Sequence, residues 1–219
     1  QETHDVKMLR FSAPHDFTFK PGQFIMLELD IDGKKDTKAF SICSSPTKHS
    51  FIEIAKKIGD SEYSKKLGEL KEGDEVGIKG PFGLFVLDES RDAILLAGGI
   101  GVTPFRCYIE YAADKKLRNK IALFYSNKMP EDIAFRSEFE DFSKMSSNIR
   151  IISTVTRPEE SKEKLTGVVG RIDENMIKQH TNTMGMSLDG AVFYVCGPPA
   201  MVEAMVTRPL PLGALRTRL

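Results

Sequence analysis

Ala93-Ile94-Leu95-Leu96-Ala97-Gly98-Gly99-Ile100-Gly101-Val102-Thr103-Pro104 is the stretch on which the reading of this chain turns. A short apolar run, far below the roughly 20 residues that span a membrane, stops at a glycine-rich loop. The pattern resumes with helical spacing, placing Phe105, Ile109, Ala112 and Ala113 on one face. Strand, glycine turn and helix together offer bare backbone N–H groups and a helix N-terminus to a phosphate. Thr103 suits the N-cap, and Pro104 suits the first helical position, where no backbone donor is needed. Pro104 also stands where a full dinucleotide fingerprint has its third glycine, so two readings are open: an anion-binding loop, or a strand-to-helix turn that binds nothing.

Outward from this loop, the second half alternates strand and helix. Strands are predicted over 94–97, 121–125, 149–155 and 191–196, and helices over 104–116, 131–144, 173–180 and from Pro199 onward. Continuous apolar strands between amphipathic helices imply a parallel sheet covered on both faces. Ligands of such sheets sit at the carboxyl ends of the strands. Those ends here read Gly98 to Pro104, Ser126-Asn127-Lys128, Thr156-Arg157-Pro158 and Cys196-Gly197-Pro198-Pro199. Glycines, hydroxyls and cations at all these ends favour a ligand site over simple turns.

Before the polar linker Asp88-Glu89-Ser90-Arg91-Asp92 the grammar differs. Val6, Met8, Leu9 and Phe11, then Phe17 and Phe19, then Phe24, Met26, Leu27 and Leu29 mark short strands. More follow over 39–44, 50–55 and 75–79. Turn signals fall at Pro21-Gly22, Asp32-Gly33, Glu72-Gly73-Asp74 and Gly80-Pro81-Phe82-Gly83. Short strands at this spacing predict a small antiparallel barrel, interrupted by a helix over 61–70 with Tyr63, Leu67 and Leu70 on one side. In Lys38-Ala39-Phe40-Ser41-Ile42-Cys43-Ser44-Ser45-Pro46, Lys38 and Phe40 share a strand face, which sets a cation for a phosphate beside a ring for a planar cofactor. The plainer reading is an edge strand entering a Ser/Pro turn. Gly59-Asp60-Ser61-Glu62-Tyr63-Ser64 is likewise either an anion site or an ordinary capped helix start.

Composition narrows the class. Among 219 residues, 41% are hydrophobic and 28% charged, values of a globular chain with a core. Lys plus Arg and Asp plus Glu both number 31, so no basic region singles out nucleic acid as the partner. No segment reads as a membrane span, and Gln1-Glu2-Thr3-His4-Asp5 is not a signal peptide. Cys43, Cys107 and Cys196 are widely spaced, with no zinc or iron–sulfur pattern, no disulfide framework and no metal site implied. A reducing, cytoplasmic setting follows.

In their order along the chain these motifs resemble the ferredoxin–NADP reductase superfamily of flavoenzymes, over nearly the whole length from about Val6 to about Met205. The resemblance implies two domains: an FAD-binding antiparallel β-barrel over 1–88, then an NAD(P)-binding α/β domain with a doubly wound parallel sheet over 89–219, the flavin lying between them. Lys38-Ala39-Phe40-Ser41 looks like the family's Arg-x-Tyr-Ser flavin motif. Phe40 would then stack on the isoalloxazine, Ser41 would hydrogen-bond near its hydride-accepting nitrogen, and Lys38 would contact the pyrophosphate. Lysine keeps the charge of arginine without its bidentate fork, and phenylalanine keeps the ring of tyrosine without the hydroxyl. Ser44, Ile54, Lys56, Gly59 and Ser64 complete the flavin-binding set that the resemblance implies. For the nicotinamide nucleotide, Gly98, Gly99, Gly101, Thr103 and Pro104 match the pyrophosphate loop, and Gly197, Pro198, Pro199 and Met201 the nicotinamide segment. Cys196 would stand near the reactive carbon. Ser126, Asn127, Lys128, Arg136 and Arg157 either form the adenosine ribose or 2′-phosphate site or are solvated surface groups.

The resemblance also implies a closing helix and strand, often with an aromatic residue near the flavin. After Val206 the sequence has no acid and no aromatic, and Pro209 and Pro211 would break the last helix. The tail over 207–219 therefore reads as atypical. With the family's first barrel strand expected before Glu2, the chain reads as a truncated or altered form of a longer reductase. The function expected is an FAD-dependent oxidoreductase that takes hydride from NADH or NADPH and delivers electrons to a redox protein, a ferredoxin or a partner subunit. The alternative is a non-catalytic electron-transfer or nucleotide-sensing subunit of a larger redox complex.

Overall fold

The computed structural model describes residues 1–163, 167–207 and 214–218. Its first half runs β1 (Val6–Ser12), β2 (Phe24–Ile31), β3 (Lys34–Ser41), β4 (Phe51–Lys57), α1 (Glu62–Glu69) and β5 (Gly77–Phe82). The second half runs β6 (Ala93–Gly98), α2 (Thr103–Lys115), β7 (Ile121–Asn127), α3 (Arg136–Met145), β8 (Ile149–Val155), β9 (Val168–Val169), α4 (Glu174–Thr183), β10 (Val192–Cys196), α5 (Pro199–Thr207) and β11 (Ala214–Arg218). Among the described residues no helix is long and apolar enough to cross a membrane.

The first-half strands pair antiparallel, β1 with β4 and β2 with both β3 and β5. Asp32 and Gly33, at φ 51° and 78°, make the two-residue turn between β2 and β3, the backbone that matches strand twist in a tight hairpin. Side chains alternate across β2. Ile25, Leu27 and Leu29 point inward, to Phe40, Ile42, Ile52 and Ile54 and to Tyr63 and Leu67 of α1. Phe24 and Met26 lie on the other, partly exposed side, because one unbroken period of two cannot bury both sets.

The second half is one parallel sheet in the order β11-β10-β6-β7-β8-β9. Every residue of β6 is buried. Ala93, Leu95 and Ala97 meet α2 through Phe105, Tyr108 and Ile109, while Ile94 and Leu96 meet α4 and α5 through Ile177, Val202 and Met205. The chain steps outward from β6 through β7 and β8, then returns to the other side of β6 as β10. This reversal opens a crevice at the carboxyl ends of β6 and β10. The fold is thus an antiparallel β-barrel domain followed by a doubly wound α/β domain.

Two expectations need correction. The helix expected from residue 131 begins at Arg136, because Pro130–Asp132 forms a separate 3-10 turn and Phe135, at φ 59°, interrupts the helical path. The tail is more regular than its composition implies. Ala214–Arg218 adds to β10 as a parallel strand after α5 ends at Thr207, and Arg216 donates to the Val86 carbonyl (2.7 Å) beside the Tyr194 ring. The prolines at 209 and 211 lie outside the described residues.

Helix α2 also joins the two halves. The Tyr108 hydroxyl donates to the Phe85 carbonyl at 2.8 Å, and the Tyr108 ring lies 5.2 Å from that of Tyr194. Gly22, at φ +93°, makes room for this contact: a Cβ there would lie 2.1 Å from the Phe85 carbonyl oxygen and 2.5 Å from the Tyr108 ring.

Candidate cofactor cleft

A cleft of about 1050 Å³ lies between the halves, with β3, β4 and α1 on one wall and the carboxyl ends of β6, β7 and β10 on the other. On the first wall, β3 is the edge of its sheet, and the same edge carries Lys38, Phe40 and Ser41 into the cleft. The Phe40 ring packs against that of Tyr63, 6.0 Å between centroids and 19° from parallel. Tyr63 is held by donating its hydroxyl to the Leu27 carbonyl at 2.7 Å; burial raises its pKa and keeps it a donor. Lys38 sits 3.2 Å from Asp36 and 5.9 Å from the Tyr63 ring.

At the start of α1, Ser61 caps the helix by accepting from Ser64 N–H at 3.3 Å. The Ser64 hydroxyl accepts from Gly59 N–H at 2.7 Å. A hydroxyl that accepts in this way keeps its own proton for another partner. Ser61, Ser64 and Lys56 all line the cleft, whereas Gly59 holds Ser64 from outside it.

On the second wall, a 3-10 turn over Gly99–Val102 runs without a break into α2. Thr103 is therefore already helical and is not the accepting N-cap expected of it; its hydroxyl donates back to the Ile100 carbonyl at 3.1 Å. The glycines divide the work. Gly99, at φ +51°, lies where an added Cβ would meet no atom within 4 Å, so its backbone faces open cleft. A Cβ on Gly98 would stand 2.6 Å from the Met201 sulfur, and one on Gly101 2.5 Å from the Cys196 carbonyl oxygen. These two glycines let the loop after β6 touch the loop after β10. Cys196, Gly197, Pro198 and Met201 reach the cleft with Ser126, Asn127 and Lys128 of the β7 end.

Several expected residues are not brought into the cleft. Ser44 is fully buried and accepts from Glu53 N–H at 3.0 Å. The Ile54 side chain points into the barrel core. Arg136 faces a separate hollow of about 600 Å³ and pairs with Glu163 at 3.3 Å, since the later helix start turns it outward. Arg157 is exposed and pairs with Glu160 at 3.4 Å. Pro104 is buried inside the first turn of α2, and Pro199 opens α5 outside the cleft. Thr156, at one of the expected strand ends, lines the cleft, and sequence reasoning missed Tyr63, Asp132 and Arg171, which line it too. Tyr63 reads as an ordinary apolar helix position, and Arg171 sits in no motif.

The donor set suits two dinucleotides. Lys38, Lys56, Ser64 and the start of α1 offer cations and donors to one diphosphate beside a flat ring wall. The bare backbone at Gly99 and the orphan N–H groups of a helix start offer a second diphosphate site. Fold and site together define a class, the oxidoreductases that bring a flavin and a nicotinamide nucleotide together between two domains.

Comparison with known proteins agrees. Residues 1–87 match the model of the oxidoreductase FAD-binding domain and residues 95–207 that of the oxidoreductase NAD-binding domain. The chain is 34% identical over 211 residues to the glycine betaine monooxygenase reductase subunit of Chromohalobacter salexigens, covering 94% of this chain and 56% of that one. It is 31% identical over 214 residues to the sulfhydrogenase 1 subunit gamma of Pyrococcus furiosus, covering 93% and 68%. A ferredoxin NADP+ reductase from Neisseria gonorrhoeae, solved with FAD and NADP bound, superposes with a TM-score of 0.80 at 20% identity, over 99% of this chain and 93% of that one. The chain belongs to the ferredoxin–NADP reductase-like family of oxidoreductases that join an FAD-binding to an NAD-binding domain, and it spans 56% and 68% of the length of these two relatives.

Proposed function

We propose that this chain is the reductase part of an electron-transfer system, with residues 1–88 holding FAD, residues 89–219 holding NAD(P)H, and a separate redox protein or partner subunit as acceptor. One observation carries the reading: Gly101 packs on the Cys196 carbonyl at the switch point of the sheet, and that joint faces the edge carrying Phe40 and Ser41 across one cleft. When bound, the flavin supplies a two-electron acceptor for hydride and a donor of electrons to the next carrier. The residues of the chain bind, orient and exclude water. Phe40, backed by Tyr63, forms the ring wall, and Ser41 presents a hydroxyl at its edge. Lys38, Lys56 and Ser64 hold the flavin diphosphate, and Gly99 with the start of α2 holds that of the nicotinamide nucleotide. Cys196 lines the same cleft. Lys128, with Ser126 and Asn127, is a cation available to the adenosine end, which favours NADPH.

That the relatives include a reductase subunit of a monooxygenase and a gamma subunit of a sulfhydrogenase supports an acceptor on another chain. An anaerobic visible spectrum tests the reading. The purified protein should be yellow, or become so with FAD, and should bleach with NADPH faster than with NADH. A protein that does not take up FAD would overturn it, and faster bleaching with NADH would reverse the nucleotide preference.

A further inference from the structure

Helix α2 buries a cation one turn from a buried carboxylate, Arg106 Nη1 lying 3.8 Å from Glu110 Oε2. Arg106, one turn beyond Thr103, has a side chain only 6% exposed, among the fully buried Phe105, Cys107 and Tyr108. A charge survives such surroundings only when paired and hydrogen-bonded. Its Nη1 donates to the carbonyl of Cys43 at 2.9 Å and to Glu53 Oε2 at 3.1 Å. Its Nε and Nη2 lie 2.9 and 2.7 Å from Glu138 Oε2 of α3. One turn further along α2, Glu110 accepts from the Ser45 N–H at 2.7 Å. Glu53 completes the cluster. Its Oε1 accepts from Arg10 at 2.8 Å, and its carbonyl accepts from Cys43 N–H at 2.8 Å.

The segment gripped in this way, residues 42–45, follows Ser41 directly. The helix that grips it begins two residues after Gly101. From the Cys43 carbonyl to the first turn of α2 the connection is one hydrogen bond and one helical turn, about 5 Å of rise. A guanidinium fork is planar and fixes several directions at once, which a lysine or a single hydrogen bond cannot do. Neither Arg106, Glu53 nor Glu110 lines the cleft. For stability alone the group is poorly chosen, since apolar packing of similar volume often matches or exceeds a buried ion cluster.

We propose that Arg106, acting through Glu53 and the Cys43 carbonyl, is a positioning residue that sets the separation between the ring wall at Phe40 and Ser41 and the nucleotide loop at 99–101, and so the gap that hydride crosses. The proposal rests on the functional reading above.

Two variants test it. Arg106→Lys keeps the charge and removes the fork; Glu53→Gln keeps the shape and removes the charge. Each FAD-loaded protein is mixed anaerobically with NADPH or NADH, and the limiting rate of bleaching is read separately from the nucleotide Kd. Amide hydrogen exchange is followed on the same proteins without nucleotide. A shift near 1 Å far from the chemistry can cost a hundredfold, so the limiting rate should fall at least about tenfold. Nucleotide Kd and flavin content should stay within about twofold, because uniform binding is not what is lost. Residues 42–45 and 99–103 should exchange faster together. An unchanged limiting rate in a folded, flavin-loaded variant overturns the proposal, as does a loss confined to Kd or flavin content. If neither variant folds, a structural role replaces the proposed one. Failure of the unmodified chain to bleach with either nucleotide overturns the functional reading, and this inference with it.

Discussion

Cys43, Cys107 and Cys196 are chemically unequal. Cys43 and Cys107 are fully buried, and burial raises both thiol pKa values, that of Cys107 to about 12. Thiolate is the reactive form, so below pH 10 neither should be modified in the folded chain. Cys196 is partly exposed and lines the cleft. A thiol reagent should therefore modify one cysteine per folded chain, at Cys196, and all three after unfolding; NAD(P)H should slow the first reaction. Peptide mass spectrometry checks this, and labelling of Cys107 at a comparable rate would contradict it. The Tyr63 hydroxyl offers a gentler test. Tyr63→Phe keeps the ring beside Phe40 but removes the bond to Leu27, which should cost about 1 kcal/mol in denaturant unfolding while FAD is still bound. Of these residues, Phe40 could be placed with Lys38 on one strand face by alternation, whereas Ser41 and Cys196 were reached only through the family resemblance. Arg106 could not be, because a single arginine on an amphipathic helix looks the same in sequence whether it faces water or a buried carboxylate.

Among the elements, β6 and α2 were legible, because burial on both faces of a strand demands an unbroken apolar run and the helix keeps its own period. β11 was not. Ala214–Arg218 is an edge strand, and the arginines and single leucine of an edge look like a solvated tail. The misplaced start of α3 has a related cause: Pro130 suits the first position of a 3-10 turn as well as that of an α-helix. The glycine loop gives a graded expectation. Gly101→Ala puts a methyl group 2.5 Å from the Cys196 carbonyl oxygen and forces the two loops apart. It should weaken NAD(P)H binding by tenfold or more, about 1.4 kcal/mol, with FAD retained. Gly99→Ala meets no atom of the chain within 4 Å, but its methyl group enters the space proposed for the nucleotide diphosphate, so it should weaken NAD(P)H binding without displacing the loop after β10, beside a left-handed backbone cost of about 1–2 kcal/mol. Calorimetric titration of both variants checks the affinities and amide exchange over 196–198 checks the loop; faster exchange there in Gly99→Ala as well would refute the division of labour between the glycines.

Over the whole molecule, the order of strands was beyond sequence reasoning. Nothing in the apolar run over 191–196 says that it lies beside β6 rather than beyond β8. That placement, with its reversal of direction, makes the cleft. The two halves share α2, Tyr108 and the Arg106 cluster. Unfolding should accordingly be a single transition, with fluorescence and circular dichroism coinciding, and two separated transitions would contradict this. FAD at a hundred times its Kd should raise stability by about 2.7 kcal/mol, and its removal should lower the Tm correspondingly.

The contact between Gly101 and the carbonyl of Cys196 leaves no slack between two loops far apart in sequence. Neither can be lengthened, shortened or grafted from another protein alone, since a change in one must be matched by a fitted change in the other. At the opposite end of the sheet, the segment over 146–148 that enters β8 has no such counterpart at the switch point. An engineer seeking a place for an insertion should look there, because surface connections away from a site tolerate added residues. The joint that builds the cleft is thus also what makes its two loops a single unit of design.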